Sequence, residues 1–307
     1  MVLWKGKDYS LYNGIPKKYK YIRNKQFNEW EIAPWDLVLD QNVLLGEGSS
    51  GKVYLGEWRR TPVAAKIINE DIEPEKREQY IREFDTLSKM HHPNIVQLLG
   101  YIEDPFVIVM EYLPNGSLYD YMKNKKLKIS EKISISINIL TGLTYLHNRK
   151  PGYVIHRDIK TKNILISPSG FAKIGDFGLS KIIKNSSLKQ VSSLQDINED
   201  SPIFDDDTSN NSPCVGTLRY MSPEMKGNKD YNTKVDIWSV GVIIAELFEN
   251  KKYEDSFNWS KNTPSEVKEI IVKYMLRDDE KDRLSACELI TLFEFLEINN
   301  SSKCLIS

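Results

Sequence analysis

Three cysteines in 307 residues, Cys214, Cys287 and Cys304, are too few for a disulfide framework, and with no Cys-x-x-Cys pair there is no thiolate zinc site. Charge of one sign is also missing. The chain has 42 basic and 43 acidic residues, a formal net charge of −1, so it has no whole-chain attraction to nucleic acid or membrane. Long apolar runs are absent too. The first thirty residues hold no apolar signal-peptide core, and the run Val240 to Phe248 is broken by Gly241 and Glu246 and is too short to span a bilayer. These absences predict an intracellular, cytoplasmic protein with no nucleic-acid partner. What is present, 40% hydrophobic residues over this length, can bury one sizeable core or two.

The strongest positive signal is a spacing. His156-Arg157-Asp158 is followed by Asn163, then by Asp176-Phe177-Gly178, then by Ser222-Pro223-Glu224. H-R-D-x-x-x-x-N followed by D-F-G is an arrangement that serves phosphoryl transfer, which needs carboxylate, amide and ammonium groups at fixed positions rather than a covalent nucleophile. Upstream, Gly46-Glu47-Gly48-Ser49-Ser50-Gly51-Lys52-Val53 reads G-x-G-x-x-G-x-V. Taken alone this is weak, since dinucleotide sites use a similar triplet. In those sites a helix follows the glycines. Here an apolar run, Leu37 to Leu45, leads in and a β-rich run, Lys52 to Trp58, leads out, which predicts a hairpin. Glycine lets such a backbone lie close over phosphates.

Together with Val63-Ala64-Ala65-Lys66 and Glu111-Tyr112-Leu113-Pro114-Asn115-Gly116-Ser117-Leu118, these motifs make residues 31–298 resemble a eukaryotic-type protein kinase. Trp30-Glu31-Ile32 and Gly56 to Val63 resemble the tyrosine-kinase-like serine/threonine kinases. The stretch Cys214 to Glu224 is similar instead to kinases that phosphorylate a translation initiation factor. The resemblance implies an α+β, bilobal protein kinase fold. A small β-rich N-lobe with one helix would span 31–112 and a larger, mainly helical C-lobe 113–298. A basic extension, 1–30, and a polar tail, 299–307, would flank them. The implied activity is ATP-dependent transfer of the γ-phosphate to Ser/Thr hydroxyls of protein substrates. A dual-specificity or tyrosine-directed kinase and a pseudokinase scaffold are the alternatives. Lys160 with Thr217 is the serine/threonine arrangement, and no group needed for transfer is missing.

Roles follow from the same resemblance. Asp158 would accept or orient the proton of the acceptor hydroxyl, and Lys160 would reach the transferred phosphate. Asn163 and Asp176 would hold Mg²⁺, or Mn²⁺ in its place. Lys66 would anchor the ATP phosphates, with a carboxylate partner from the helical stretch Glu75 to Met90. Glu83 is preferred to its rival Glu78, because it borders the face formed by Ile81, Phe84, Leu87 and His91. ATP would lie against Leu45, Gly46, Glu47, Gly48, Ser49, Ser50, Gly51, Lys52 and Val53, with Ala64, Lys66, Met110, Glu111, Leu113 and Leu165 completing the site. Met110 would be the gatekeeper, and the backbone of Glu111 and Leu113 would pair with the adenine edge. Asp236 would accept from the catalytic-loop backbone near His156, and Glu224 would pair with Arg283. Leu87, Leu98, His156 and Phe177 would stack as an apolar column, with His156 a packing residue and not a base.

Some local signals need a decision. Ile133 to Ile139 alternates strictly with polar residues, as a strand would. Ile133, Ile137, Leu140, Leu143 and His147 also follow helical spacing, and the segment's length predicts a helix. From Asp176 to Glu224 there are 49 residues, and residues 185–213 hold seven Ser, four Asn and five Asp. That composition predicts a disordered insert, whose hydroxyls Ser192, Ser193, Ser201, Thr208 and Ser212 could be phosphorylated and gripped by Arg157. Only seventeen residues separate Glu246 from Pro264, where related chains place a longer connection. Residues 1–30 carry seven basic residues and read as a solvated arm. Cys304-Leu305-Ile306-Ser307 reads C-a-a-X, the farnesylation pattern, with a frayed tail as the alternative. One such lipid would give only weak membrane association.

Overall fold

A computed structural model describes residues 3–4, 11–12, 15–16, 29–48, 51–68, 84, 88–150, 152–177, 180–184, 218–227, 230–253 and 258–304. Ser49, Ser50, Glu78, Ile81, Glu83, Leu87, Gly178, the insert 185–213, Thr217 and residues 305–307 lie outside this set. The chain divides into two units, Met1–Pro114 and Asn115–Ser307.

The first unit is built on the glycine hairpin. Strand β4 (Leu37–Gly48) turns back into β5 (Gly51–Trp58), with Gly48 opposite Gly51 and Gly46 opposite Val53. β6 (Thr61–Ile68), β8 (Val107–Glu111) and β7 (Leu98–Ile102) complete an antiparallel run. One face of this sheet buries Leu37, Leu39, Val63, Ala65, Val107 and Val109 with Ile32 and Ile102. Another cluster gathers Ile68, Phe84, Leu98, Tyr101 and Phe106, and Met110 packs on it. Phe84 meets Tyr101 edge to face at 5.1 Å, so this one side chain packs on the sheet; the rest of the stretch 75–87 lies outside the described residues.

The first thirty residues are not solely a solvated arm. β1 (Leu3–Trp4) lies parallel to Val38–Leu39 at the sheet edge, and β2 (Leu11–Tyr12) pairs with β3 (Ile15–Pro16). The charge count missed this because an edge strand needs only backbone groups to pair.

The second unit is mainly helical. α1 (Leu118–Asn124) starts at Ser117, whose hydroxyl accepts from the Asp120 amide at 3.2 Å. α2 (Ile129–His147) is the segment with the ambiguous alternation, and it is a helix. Ile133, Leu140 and Leu143 are buried as expected, and so are Ile135 and Ile139. The helix is packed on several sides, so an apolar residue is tolerated at nearly every turn. Short strand pairs follow: β9 (Gly152–Ile155) with β12 (Lys181–Lys184), and β10 (Ile164–Ile166) with β11 (Ala172–Ile174). α3 (Pro223–Lys226), the central α4 (Lys234–Glu249), α5 (Ser265–Tyr274) and α6 (Ala286–Cys304) complete the unit. α4 is buried from Val235 to Glu249.

The short connection after α4 is held by a carboxylate. Glu249 accepts from the Ser260 amide at 3.0 Å and from the Thr263 hydroxyl at 2.5 Å. Burial alone would raise the Glu249 carboxyl, but these hydrogen bonds outweigh it and keep the group below its ordinary value. Lys132 of α2 closes the other side, donating to the Phe248 carbonyl at 3.1 Å.

Candidate active site

In the first unit the glycines do different jobs. A Cβ added at Gly51 would lie 2.0 Å from the Ile67 carbonyl oxygen, and Gly51 has φ +144°, so packing and backbone both demand glycine there. A Cβ at Gly46 or Gly48 would meet nothing within 4 Å among the described residues. Their missing side chains therefore leave open space rather than serve the hairpin's own packing. Lys52 reaches across the hairpin to Glu47 at 3.1 Å, and Leu45 is exposed. Lys66 sits on β6 opposite Val53 and Ile108, only 8% exposed, and Ala64 faces Met110 in register. An ammonium this buried requires anionic company. The expected partner Glu83 and its rival Glu78 lie outside the described residues.

At the end of β8 the Glu111 amide donates to the Gln97 carbonyl at 3.0 Å, and the Gln97 amide returns to the Glu111 carboxylate at 2.7 Å. The Glu111 N–H is thus committed, so of its two backbone groups only the carbonyl could serve an adenine edge. Leu113, two residues on, is buried.

In the second unit the catalytic loop runs between β9 and β10. Asp158 is the centre of its hydrogen bonds. Its Oδ2 accepts from Lys160 Nζ at 2.7 Å and from Asn163 Nδ2 at 2.9 Å, and its carbonyl accepts a second Asn163 bond at 2.8 Å. Its other oxygen, Oδ1, is buried with no hydrogen-bond partner among the described residues. A buried carboxylate oxygen without a donor is costly in a resting core, and such an exception calls for an explanation. Leu165 is half-buried on β10, bridged to Ser117.

The loop is shaped by Asp236, fully buried on α4. Its Oδ2 accepts from the His156 amide and from His147 Nε2, both at 2.9 Å, and its Oδ1 accepts from the Arg157 amide at 2.9 Å. Burial would raise this carboxyl, but the His147 hydrogen bond leads the opposing effects and holds it below its ordinary value. Arg157 takes φ +66°, a left-handed conformation that the two Asp236 bonds support. His156 Nε2 donates to the Gly175 carbonyl at 2.9 Å, so the ring is the Nε2–H tautomer, with Nδ1 facing the Asp158 amide at 3.4 Å. Its ring lies 5.0 Å from that of Phe177. Both nitrogens are occupied, so it packs and orients, as expected.

Asn163 also accepts from the Gly175 amide at 2.8 Å, tying the loop to Asp176, whose exposed residue takes φ +55°. With Nδ2 committed to Asp158, the side-chain oxygen of Asn163 is its remaining donor to a metal, and Asp176 carries a carboxylate. Both are hard oxygen donors, the type that suits Mg²⁺ or Mn²⁺. No group of three or more His, Cys, Asp or Glu that could hold a metal occurs among the described residues, so an ion here would complete its shell with water and phosphate.

Sequence reading missed one polar cluster. Tyr220 OH donates to Glu246 Oε2 at 2.7 Å, so the contact with Thr161 Oγ1 at 3.0 Å is one in which Thr161 donates. This joins the catalytic loop, the stretch before α3 and α4. Burial first, then the Glu246 charge, pushes the Tyr220 phenol up and keeps it neutral. A signal was present: a carboxylate inside the apolar run of α4 must be buried and therefore bonded.

Residues 39–292 match the protein kinase domain family. The chain is 36% identical over 230 residues to the serine/threonine-protein kinase VIK of Arabidopsis thaliana, covering 73% of this chain and 48% of that protein. It is 32% identical to serine/threonine-protein kinase 12 of the same plant, covering 74% and 46%. It is 33% identical to serine/threonine-protein kinase CTR1, again from that plant, covering 70% and 24%. The chain spans less than half the length of each of these relatives.

Proposed function

The chain belongs to the protein kinase family, and from that premise we propose that it transfers the γ-phosphate of ATP to serine and threonine hydroxyls of protein substrates. The observation that carries the reading is Asp158, with one oxygen held by Lys160 and Asn163 and the other buried with no partner among the described residues. An acceptor hydroxyl reaching Oδ1 would give up its proton there as its oxygen bonds to the γ-phosphorus. The bond from that phosphorus to the bridging oxygen breaks, and ADP leaves. Lys160, already beside Asp158, offers its ammonium to the moving phosphoryl charge. Gly46 and Gly48 leave room for phosphates over the hairpin, and Lys66 supplies the buried positive charge on β6. Asn163 Oδ1 and the Asp176 carboxylate would hold Mg²⁺ or Mn²⁺, whose charge neutralises phosphate oxygens when bound. The names of the relatives favour Ser/Thr acceptors over tyrosine.

Cysteine usage and ATP dependence favour a cytoplasmic location; among the described residues no helix is long and apolar enough to cross a membrane. The test is incubation of the purified chain with γ-labelled ATP, Mg²⁺ and a mixed protein acceptor, followed by phosphoamino-acid analysis. Label in phosphoserine and phosphothreonine, lost in Asp158→Asn, is the expected result. Label in phosphotyrosine alone overturns the acceptor class, and no label above that of Asp158→Asn overturns the activity.

A further inference from the structure

A positive surface beside the catalytic loop has no part in phosphoryl transfer as described above. The Tyr119 amide donates to the Thr161 carbonyl at 3.1 Å, so the first turn of α1 is tied to the loop three residues past Asp158. Around the half-exposed Tyr119 ring stand the Lys123 ammonium, 4.1 Å from the ring centroid, and the Lys162 ammonium, 5.7 Å from it. Lys252, just past α4, acts on the same phenol. The Lys123 hydrogen bond leads, burial opposes it, and the charges of Lys123, Lys252 and Lys162 add to it, so the phenol is held below its ordinary value. Two stretches distant in sequence therefore bring their ammoniums to one ring, and the charge of the third acts on the same phenol.

Most of the neighbouring charges are already satisfied. Lys125 is paired with Glu131 at 2.8 Å and Lys160 with Asp158 at 2.7 Å. Asp120, the one carboxylate in α1, accepts from the Ser117 hydroxyl at 2.6 Å. Lys123, Lys162 and Lys252 are exposed, and none forms an ion pair with a carboxylate among the described residues. A cluster of like charges held together against its own repulsion, next to the group that receives the acceptor hydroxyl, is complementary to an anion carried by the substrate.

We propose that Lys123, Lys162 and Lys252 select protein substrates whose acceptor Ser or Thr is flanked by anionic side chains, carboxylates or phosphates. This rests on the reading of Asp158 as the group that takes the hydroxyl proton, and it adds the class of sequence around that hydroxyl. Single exposed pairs contribute little, but three acting together correspond to a preference of about tenfold in kcat/KM. Because the groups are exposed, the preference should shrink as salt is raised from about 0.1 M to about 1 M, where the screening length falls from ~10 Å to ~3 Å.

The experiment compares initial rates of the full chain on four peptides that differ only in the residues flanking a central serine: alanine, glutamate, phosphoserine and lysine. The expected order places the glutamate or phosphoserine peptide about tenfold above the alanine peptide, and the larger of the two gains identifies carboxylate or phosphate as the anion. In the double variant Lys123→Glu/Lys252→Glu the order should reverse toward the lysine peptide, with the alanine peptide within about twofold of wild type. Equal wild-type rates on alanine and anionic peptides, or an anionic preference that survives in the double variant, would overturn the proposal and leave the kinase reading standing. No phosphorylation of any peptide or protein by wild type would instead overturn the kinase reading itself.

Discussion

Arg283, 1% exposed, donates to Glu224 from both terminal nitrogens, at 2.6 Å from Nη1 and 2.8 Å from Nη2. Its Nε donates to the Arg277 carbonyl at 2.8 Å, and its guanidinium lies 5.2 Å from the Trp238 ring centroid. A planar fork meeting a carboxylate in this way is specific to arginine. Removing one partner leaves the other buried and uncompensated. Arg283→Ala should therefore cost about 3–5 kcal/mol in denaturant unfolding, and Arg283→Lys should recover only part of it. A loss below about 1 kcal/mol would show that the pair is not what holds α3 to the body of its unit.

Acid should act through the same carboxylate and through Asp236. Burial would raise Glu224, but the Arg283 hydrogen bonds hold it below its ordinary 4.5, and Asp236 is likewise held below 3.8. Groups lowered in the folded state add stability above their unfolded values and lose it as pH falls through the folded ones. Unfolding free energy should fall steeply below about pH 4.5, with a shallower fall in Glu224→Gln. Urea titrations across that range provide the check. A profile unchanged in Glu224→Gln would remove Glu224 as a source of acid sensitivity.

Asp236→Asn preserves shape and changes bonding. The carboxylate accepts from His156, Arg157 and His147, whereas an amide has one acceptor oxygen and must turn its NH₂ toward a donor. We expect a loss of about 2–4 kcal/mol in stability and a fall in kcat larger than the change in KM for ATP, because the catalytic loop loses its anchor. Thermal melts and steady-state kinetics on one preparation measure both. An unchanged kcat would mean that the loop keeps its shape without Asp236.

The hairpin glycines should separate stability from nucleotide binding. Gly51→Ala forces a methyl against the Ile67 carbonyl and should cost about 1–3 kcal/mol. Gly48→Ala meets open space and should stay within about 0.5 kcal/mol of wild type, yet raise KM for ATP. Equal effects of the two substitutions on stability would contradict the difference in their surroundings.

Tyr220→Phe removes one hydroxyl, which leaves buried Glu246 without its shortest donor and Thr161 without an acceptor. The expected cost is about 1–3 kcal/mol in chemical denaturation. A variant as stable as wild type would mean that Glu246 is served by the Tyr253 amide, 3.0 Å from its other oxygen, and by Arg219.

Much of the site was legible because its chemistry needs particular residue types at short spacings. Asp158, Lys160 and Asn163 occur within six residues and meet within one loop. The Glu224–Arg283 pair spans 59 positions but could be expected from the resemblance, since each sits in a short motif. The cluster of Tyr220, Thr161 and Glu246 was not expected, because each residue alone looks ordinary and only burial makes their contact necessary. The pairing of Leu3–Trp4 with β4 was missed for the opposite reason, since nothing in side-chain composition announces a backbone bond.

By itself, the order of residues determined the family, the hairpin around Gly46 to Gly51, the helix at Ile129–His147 and the groups able to carry phosphoryl transfer. These are local matters of spacing, periodicity and residue chemistry. Tertiary structure alone decided that one oxygen of Asp158 is held while the other is buried with no partner among the described residues, that Gly51 is demanded by packing while Gly46 and Gly48 are not, and that Lys123 and Lys162 gather on one ring. Those outcomes depend on which atoms from distant parts of the chain are left within bonding distance once the core has closed.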